Sequence, residues 1–168
     1  STQAKTLFPY TTLFRSHGIE GETQDAAILE DRSYTVKALL ASLFLANGTP
    51  MLLAGDEFGN SQQGNNNSYC QDNPITWLDW QQADEALQGY TRDLIRLRQE
   101  IKLLGDDVWW KQERVRWLNI QGEPMSELCW HNRGAKAMQI VLDDEWLLLI
   151  NAKRSQQIFN LPQGSWQI

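Results

Sequence analysis

Two segments of the chain carry apolar residues at helical spacing. In residues 25–46 the apolar positions fall near one stripe, with Asp25 placed to cap the start and Asn47 and Gly48 placed to stop the helix. In residues 82–104 they recur every three or four positions, at Leu87, Tyr90, Leu94, Leu97, Ile101 and Leu104. This spacing predicts two amphipathic helices, over 25–46 and 82–104.

A short apolar run lies between these two segments. Residues 51–54 read MLLA without a polar interruption, which predicts a strand buried on both faces, as in a parallel sheet. Helix, tight turn and buried strand together form an α/β unit. The polar stretch 55–76 then leaves the C-terminal end of this strand, which is where α/β barrels place their active sites. A loop of this length in a compact domain is usually functional or disordered.

The pattern changes after residue 106 to short β-type runs. Asp143 and Asp144 form a good hairpin turn between two of them. The runs cover residues 114–118, 127–130, 137–142, 146–150, 156–159 and 166–168. They predict a small antiparallel β-domain in this part of the chain.

The first residues do not resemble the rest. Residues 1–16 contain no acid, no glycine and no clear period. Residues 6–16, TLFPYTTLFRS, can be spelled codon for codon by the primer end of a short-read sequencing adapter. We therefore interpret 1–16 as a non-native segment and exclude it from the fold prediction. The alternative is an amphipathic strand in which Leu7, Phe8, Tyr10, Leu13 and Phe14 pack together.

Charge and composition exclude several classes of function. The formal net charge of −6 argues against nucleic acid as a partner. The longest apolar stretches are too short to cross a bilayer, so we expect a soluble chain without a membrane partner. Cys70 and Cys129 lie far apart, and His17 and His131 have no second ligand at metal-site spacing. The sequence therefore predicts no metal, no cofactor and a reducing cytoplasmic setting.

The aromatic and amide content favours a neutral polyhydroxylated ligand. The chain has eight tryptophans, and a single loop at residues 63–73 concentrates Asn, Gln, a tyrosine and an aspartate. Aromatic rings stack on the C–H faces of sugars, while amides and carboxylates bind their hydroxyls. The loop is either the wall of a sugar subsite or a solvated loop in which asparagine serves turn formation. Composition leaves these two interpretations open.

The remaining polar and aromatic candidates flank this loop. Asp56 and Glu57 close the predicted strand, but adjacent side chains of a strand point to opposite sides. An acid/base pair is therefore disfavoured, and we expect one of them to bind a hydroxyl or orient a neighbour. Trp77 and Trp80 are candidate sugar platforms, of which at least one is expected to pack instead.

Three passages closely resemble the eighth-strand region of bacterial glycogen-debranching enzymes, the isoamylase-like branch of the α-amylase superfamily. They are GTPMLLAGDEFG from Gly48, QGNNNSYCQDN at 63–73 and ITWLDW ending at Trp80. HGIEGETQD near the start is similar to the loop before the seventh barrel helix of those enzymes. DVWW and RWLN are similar to the junction into their C-terminal β-domain. The resemblance covers residues 18–168.

The resemblance implies an α/β fold with two parts. Residues 17–106 would be the last part of a catalytic (β/α)₈ TIM barrel, and residues 107–168 part of an antiparallel β-sandwich domain. It implies retaining hydrolysis of α-1,6 branch linkages in phosphorylase-limit glycogen during cytoplasmic glycogen catabolism. The three carboxylates of that mechanism come from the fourth, fifth and seventh strands, so we assign no catalytic residue here and expect this chain to be inactive alone.

What the resemblance carries over is a substrate-side loop for glycogen or a branched α-glucan. The substrate-binding residues that it implies are Asp56, Gln63, Asn65, Asn66, Asn67, Tyr69, Gln71 and Asp72.

Two other classes of function stay open. One is a non-catalytic α-glucan-binding module with Trp77, Trp80, Trp109 or Trp110 as platforms. The other is an interaction protein that uses the exposed face of an incomplete barrel. The order helix, strand, loop, helix argues against the first, because binding modules are usually all-β.

Overall fold

A computed structural model describes residues 17–19, 21–65, 67–107, 109–111 and 113–167. The segment 1–16 interpreted as non-native lies outside the described residues, as do Asn66 and Ile168. The chain divides between Glu100 and Ile101 into two compact units.

The first helix begins where the sequence predicts it. Helix α1 spans Ala26–Phe44, and the Asp25 side chain accepts hydrogen bonds from the backbone nitrogens of Ala27 and Ile28. These bonds satisfy two of the amides that every helix start leaves without an intrahelical acceptor. Beyond its end, Gly48 takes a φ of 103°, a conformation that glycine adopts without strain.

The second helix is shorter than predicted. Helix α2 spans Glu85–Glu100, and 3₁₀ turns at Trp80–Gln82 and Lys102–Gly105 precede and follow it along the chain. The start is fixed by the carboxylate of Asp84, which accepts a hydrogen bond of 2.9 Å from the backbone nitrogen of Leu87. The apolar faces of the two helices meet in the core of this unit, formed by Leu40, Phe44, Leu87 and Leu94.

One arginine of α2 holds the C-terminal end of α1. Arg98 donates from Nη1 to the carbonyl oxygens of Phe44 at 2.6 Å and Ala46 at 2.8 Å, and from Nη2 to that of Gly48. A cation is favourable there because the last carbonyls of a helix carry partial negative charge. The chain therefore leaves α1 from a fixed position.

The predicted buried strand at residues 51–54 is wrong for the described structure. These residues belong to no strand, and Met51 is 89% and Leu53 68% exposed. A parallel strand needs neighbouring strands for its hydrogen-bond ladder and packed helices to cover its two faces. No strand lies in the described residues of the first unit, so the predicted barrel section stays a proposal.

The second unit contains a three-stranded antiparallel sheet. Strands β1 (Val115–Leu118), β2 (Ala137–Leu142) and β3 (Trp146–Asn151) are ordered β1-β2-β3. The central strand is buried on both faces from Gln139 to Leu142. The predicted β-runs 114–118, 137–142 and 146–150 are confirmed to within a residue.

The predicted hairpin turn between β2 and β3 is confirmed. Asp143 and Asp144 have φ values of 50° and 58°, which aspartate tolerates better than most residues. Arg114 donates two hydrogen bonds to the Asp143 carboxylate, at 2.7 and 2.5 Å, and Arg116 pairs with Asp144 at 2.5 Å. Ion pairs from Arg116 of β1 and from Arg114 just before it therefore hold the turn.

Three predicted β-runs are wrong. Residues 127–130 form a short helix α3, Glu127–His131, because Ser126 caps it by accepting a hydrogen bond from the Cys129 nitrogen. Residues 156–159 and 166–167 belong to no strand among the described residues. Isolated hydrogen bonds hold the chain at residue 160 instead of a strand ladder. In one of them the backbone nitrogen of Asn160 donates to the carbonyl oxygen of Ile120 at 2.8 Å.

Candidate functional site

The predicted site begins at a tight turn built on glycine. Gly55 has a φ of 101°, and a Cβ placed on it would lie 2.6 Å from the Cβ of Asn60. A side chain is therefore excluded at this position. Residues Asp56–Phe58 form a single 3₁₀ turn, whose last side chain, that of Phe58, is buried. This turn, rather than a strand end, presents the two adjacent acids.

The two acids have separate roles in this turn. The carboxylate of Glu57 accepts a hydrogen bond of 2.8 Å from the backbone nitrogen of Gly55, so it stabilises the turn. Asp56 remains exposed to solvent. Partial desolvation raises the pKa of the Asp56 carboxyl above its usual 3.8, and the charge of Glu57 raises it further. Of the pair, Asp56 is the one whose side chain is available to a ligand.

Three of the predicted amide residues form one cluster. The side-chain nitrogen of Asn65 donates to Gln71 Oε1 at 3.2 Å, and Asn65 Oδ1 accepts from the backbone nitrogen of Asn67 at 3.0 Å. Gln71 in turn donates to the Asn67 carbonyl at 3.4 Å. These bonds fold the loop on itself and position its amides. Asn66 lies outside the described residues.

The other predicted residues do not join this cluster. Asp72 accepts a hydrogen bond of 2.7 Å from Trp77 Nε1, which fixes the indole against the loop. Tyr69 is 86% exposed, which leaves its ring free to stack. Gln63 adopts a φ of 53°, and its backbone nitrogen donates to Ser61 Oγ at 3.1 Å.

The two tryptophans beside the loop differ in their contacts. Trp80 contacts the ring of Phe58, with ring centroids 4.5 Å apart, yet it remains 60% exposed, so the expectation that one of the pair packs in the core stays a prediction. Trp77 is held through its nitrogen by Asp72 and remains 57% exposed. Tyr69 in the loop, and Trp77 and Trp80 just after it, are therefore the exposed aromatic surfaces at this place.

Sequence reasoning missed a groove next to this loop. A cavity of about 380 Å³ lies between residues 21–24 and residues 61–64, with Leu29 and Arg32 of α1 in its lining. None of the predicted site residues lines it. Residues 21–24 of the groove lining belong to the passage HGIEGETQD, which resembles a loop of the debranching enzymes. The resemblance implied no binding residue in that passage, so the sequence did not predict the groove.

The described residues hold no group of three or more His, Cys, Asp or Glu side chains that could bind a metal. Cys70 and Cys129 are free thiols. Hydrogen bonds from the side chain and backbone of Ser126 lower the pKa of Cys129. No helix in the part of the chain that is described is long and apolar enough to cross a membrane.

Comparison with known proteins gives the family context. Residues 111–168 match the glycogen debranching enzyme C-terminal domain. The glycogen operon protein GlgX homolog of Haemophilus influenzae is 54% identical over 158 residues, covering 90% of this chain and 24% of that protein. By sequence, this chain is a relative of the glycogen debranching enzymes.

Two further relatives agree with this assignment. The glycogen debranching enzyme of Serratia proteamaculans is 51% identical over 155 residues, covering 91% of this chain and 23% of that protein. The glycogen debranching enzyme of Dickeya chrysanthemi is 50% identical over 156 residues, covering 91% and 24%. The chain thus spans about a quarter of the length of the curated relatives that it matches.

Proposed function

We propose that this chain is part of a glycogen debranching enzyme that hydrolyses α-1,6-glucosidic branch linkages of phosphorylase-limit glycogen. The observation that carries the proposal is the identity of 50–54% to the relatives above over about nine-tenths of the chain. On this proposal residues 17–106 belong to an isoamylase-like TIM barrel and residues 107–168 to the following β-domain. The complete enzyme would act in the cytoplasm with retention of configuration.

This chain would supply substrate binding and no catalytic carboxylate. Asp56 is solvent-accessible, and the cluster of Asn65, Asn67 and Gln71 fixes amide groups that can exchange hydrogen bonds with sugar hydroxyls. Tyr69 offers an exposed ring to a sugar face. Binding of the branch near these groups would position it for carboxylates elsewhere in the enzyme.

Two preparations test the proposal. The 168-residue chain is incubated with phosphorylase-limit glycogen, and released reducing ends are measured. The continuous reading frame at the source locus, extended upstream, is expressed and assayed in the same way. We expect turnover from the extended protein and none from this chain. An extended protein that binds the glycogen but releases no reducing ends would refute the hydrolase assignment.

A non-catalytic α-glucan-binding module is the second candidate. Exposed tryptophans favour it, since Trp77 is 57% and Trp109 88% exposed. It predicts that the reading frame upstream lacks the earlier strands of a barrel. It also predicts affinity for glycogen that falls when Trp109 is changed to Ala. Catalysis by the extended protein would exclude it.

A further inference from the structure

We propose that a cavity at one end of the sheet in the second unit binds a phosphate group, either free or carried by a small phosphorylated metabolite. The cavity has a volume of about 270 Å³, and Lys136 and Lys153 lie in its lining. It includes no residue of the loop 63–73. The inference therefore goes beyond the proposed function and does not rest on it.

The register of the β2–β3 hairpin brings the two lysines to the same end of the sheet. Ala137 at the start of β2 pairs with Asn151 at the end of β3. Just beyond this pair, the backbone nitrogen of Ala152 donates to the carbonyl oxygen of Lys136 at 2.7 Å. Lys153 is the next residue along the chain. Backbone pairing thus places both lysines beside the cavity.

This end of the sheet is basic, although the whole chain has a net charge of −6. Residues 128–142 and 146–168 contain no acid, and their basic residues other than histidine are Arg133, Lys136, Lys153 and Arg154. The cavity lining contains no Asp or Glu. Among the described residues, neither lysine has a carboxylate oxygen within 4.0 Å. The cavity therefore carries two positive charges that no ion pair offsets in the described part of the chain.

One acid acts on the cavity from outside its lining. The charge of Glu123 reaches the thiol of Cys129, which is a lining residue. The Glu123 carboxylate accepts a hydrogen bond of 3.2 Å from the side-chain nitrogen of Asn119. One carboxylate against two ammonium groups leaves the surroundings of the cavity positive.

Neutral groups hold one of the lysines in place. Lys153 Nζ donates to Gln157 Oε1 at 3.1 Å, and the backbone nitrogen of Lys153 donates to Asn151 Oδ1 at 2.9 Å. These bonds position the ammonium group without neutralising its charge. An ammonium group has three donors, so the bond to Gln157 leaves two of them for a ligand.

Charge, donor type and size favour a phosphate group as the ligand. A phosphate monoester carries about −1.5 to −2 charges at neutral pH, which matches two ammonium groups better than a single carboxylate does. Lysine binds phosphate as a point charge, and the amides of Gln121 and Asn132 in the lining can donate to further phosphate oxygens. The cavity is smaller than the sites of drug-sized ligands, about 300–1,000 Å³, so it suits a small anion.

A second cavity offers room for the organic part of a phosphorylated metabolite. Its volume is about 260 Å³, and it shares Lys136 and Cys129 with the first cavity. Trp130, Met138 and Ile150 make its lining more apolar. A phosphate bound at Lys136 therefore lies next to a surface that can contact a carbon chain, which favours a monoester over the free ion.

The two cysteines of the chain make the site measurable. Cys129 lies in the cavity lining, whereas Cys70 is an exposed free thiol of the first unit and serves as an internal control. The chain is alkylated with iodoacetamide in the presence of glycerol phosphate, inorganic phosphate, glycerol or succinate at equal ionic strength, and mass spectrometry follows each cysteine. We expect glycerol phosphate to slow alkylation of Cys129 severalfold and to leave Cys70 unchanged.

NMR titration with the same probes provides a readout that does not depend on the thiol. The backbone amide signals of Gly134 and Lys153 should shift with glycerol phosphate and stay unmoved with glycerol. Stronger binding of glycerol phosphate than of inorganic phosphate would identify a phosphorylated metabolite as the ligand, and equal binding would identify the phosphate group alone. If neither probe protects Cys129 or shifts these signals, or if succinate acts as strongly, the phosphate site is refuted.

Lysine variants with a matched control assign the charges. Lys136→Gln and Lys153→Gln are each expected to weaken binding of glycerol phosphate about threefold to fivefold, the effect of losing one exposed charge pair. Lys111→Gln makes the same change at an exposed position of the second unit outside both linings, and should leave binding unchanged. If all three variants weaken binding equally, only the net charge of the chain attracts the anion and the site is wrong.

Discussion

A buried glutamine of the second unit offers the sharpest stability prediction. Gln139 on β2 is 0% exposed. Its side-chain nitrogen donates to the carbonyl oxygens of Asn119 at 2.8 Å and Asn160 at 2.9 Å. It thus joins the end of β1 to the segment near residue 160, which has no strand pairing of its own. Gln139→Leu keeps the approximate volume and removes both bonds.

The expected cost follows from these contacts. Breaking two hydrogen bonds and leaving their carbonyls without that donor costs about 1.5 kcal/mol each. Leucine also removes Gln139 Oε1, which is buried without a hydrogen-bond partner among the described residues. Removing this unpaired oxygen stabilises the folded state by about 1 kcal/mol. The net destabilisation is about 2 kcal/mol.

Urea unfolding followed by tryptophan fluorescence measures this change. With a slope of about 1–2 kcal/mol per molar urea for a unit of this size, the midpoint should fall by about 1–2 M. Gln121→Leu makes the same change at an exposed position and should shift it far less. Hydrogen exchange at the Asn160 amide should accelerate in Gln139→Leu. Equal midpoints for the two variants, with unchanged exchange, would refute this account.

Three further predictions concern backbone strain and titration. Gly122→Ala should destabilise the second unit by about 2–4 kcal/mol in the same urea experiment. The φ of Gly122 is 83°, and the new Cβ would lie 2.7 Å from the backbone carbonyl oxygen of Asn160. NMR titration should show the pKa of the Asp56 carboxyl above its usual 3.8. Because the pKa is raised in the folded state, ionisation of Asp56 lowers the stability of the fold as pH rises through the folded-state pKa. Glu57→Gln should lower the pKa of Asp56 only in part, because desolvation is the larger cause of the shift. Ser126→Ala should raise the pKa of Cys129 and slow its alkylation at neutral pH; an unchanged rate would contradict the hydrogen-bond origin of the shift.

The sequence by itself determined the elements whose signals are local. The 3,4-spaced apolar positions and Asp25 specify α1 and most of α2, because helical periodicity and capping act within a few residues. The runs 137–142 and 146–150, with two aspartates between them, specify the β2–β3 hairpin for the same reason. The position of the amide-rich loop at residues 63–73 and its resemblance to debranching enzymes could also be read from the sequence alone.

Only the tertiary structure decided which segments find partners. Residues 51–54 have the composition of a buried strand, yet a strand requires a neighbour that local sequence cannot supply, and in the described residues they stay unpaired. Residues 156–159 likewise form no strand, and the chain just after them is held at Asn160 by Gln139 and by the backbone of Ile120. The groove between Gly21 and Gly64 arises from an approach of segments more than forty positions apart. No periodicity encodes such an approach, because it depends on the path of the whole chain.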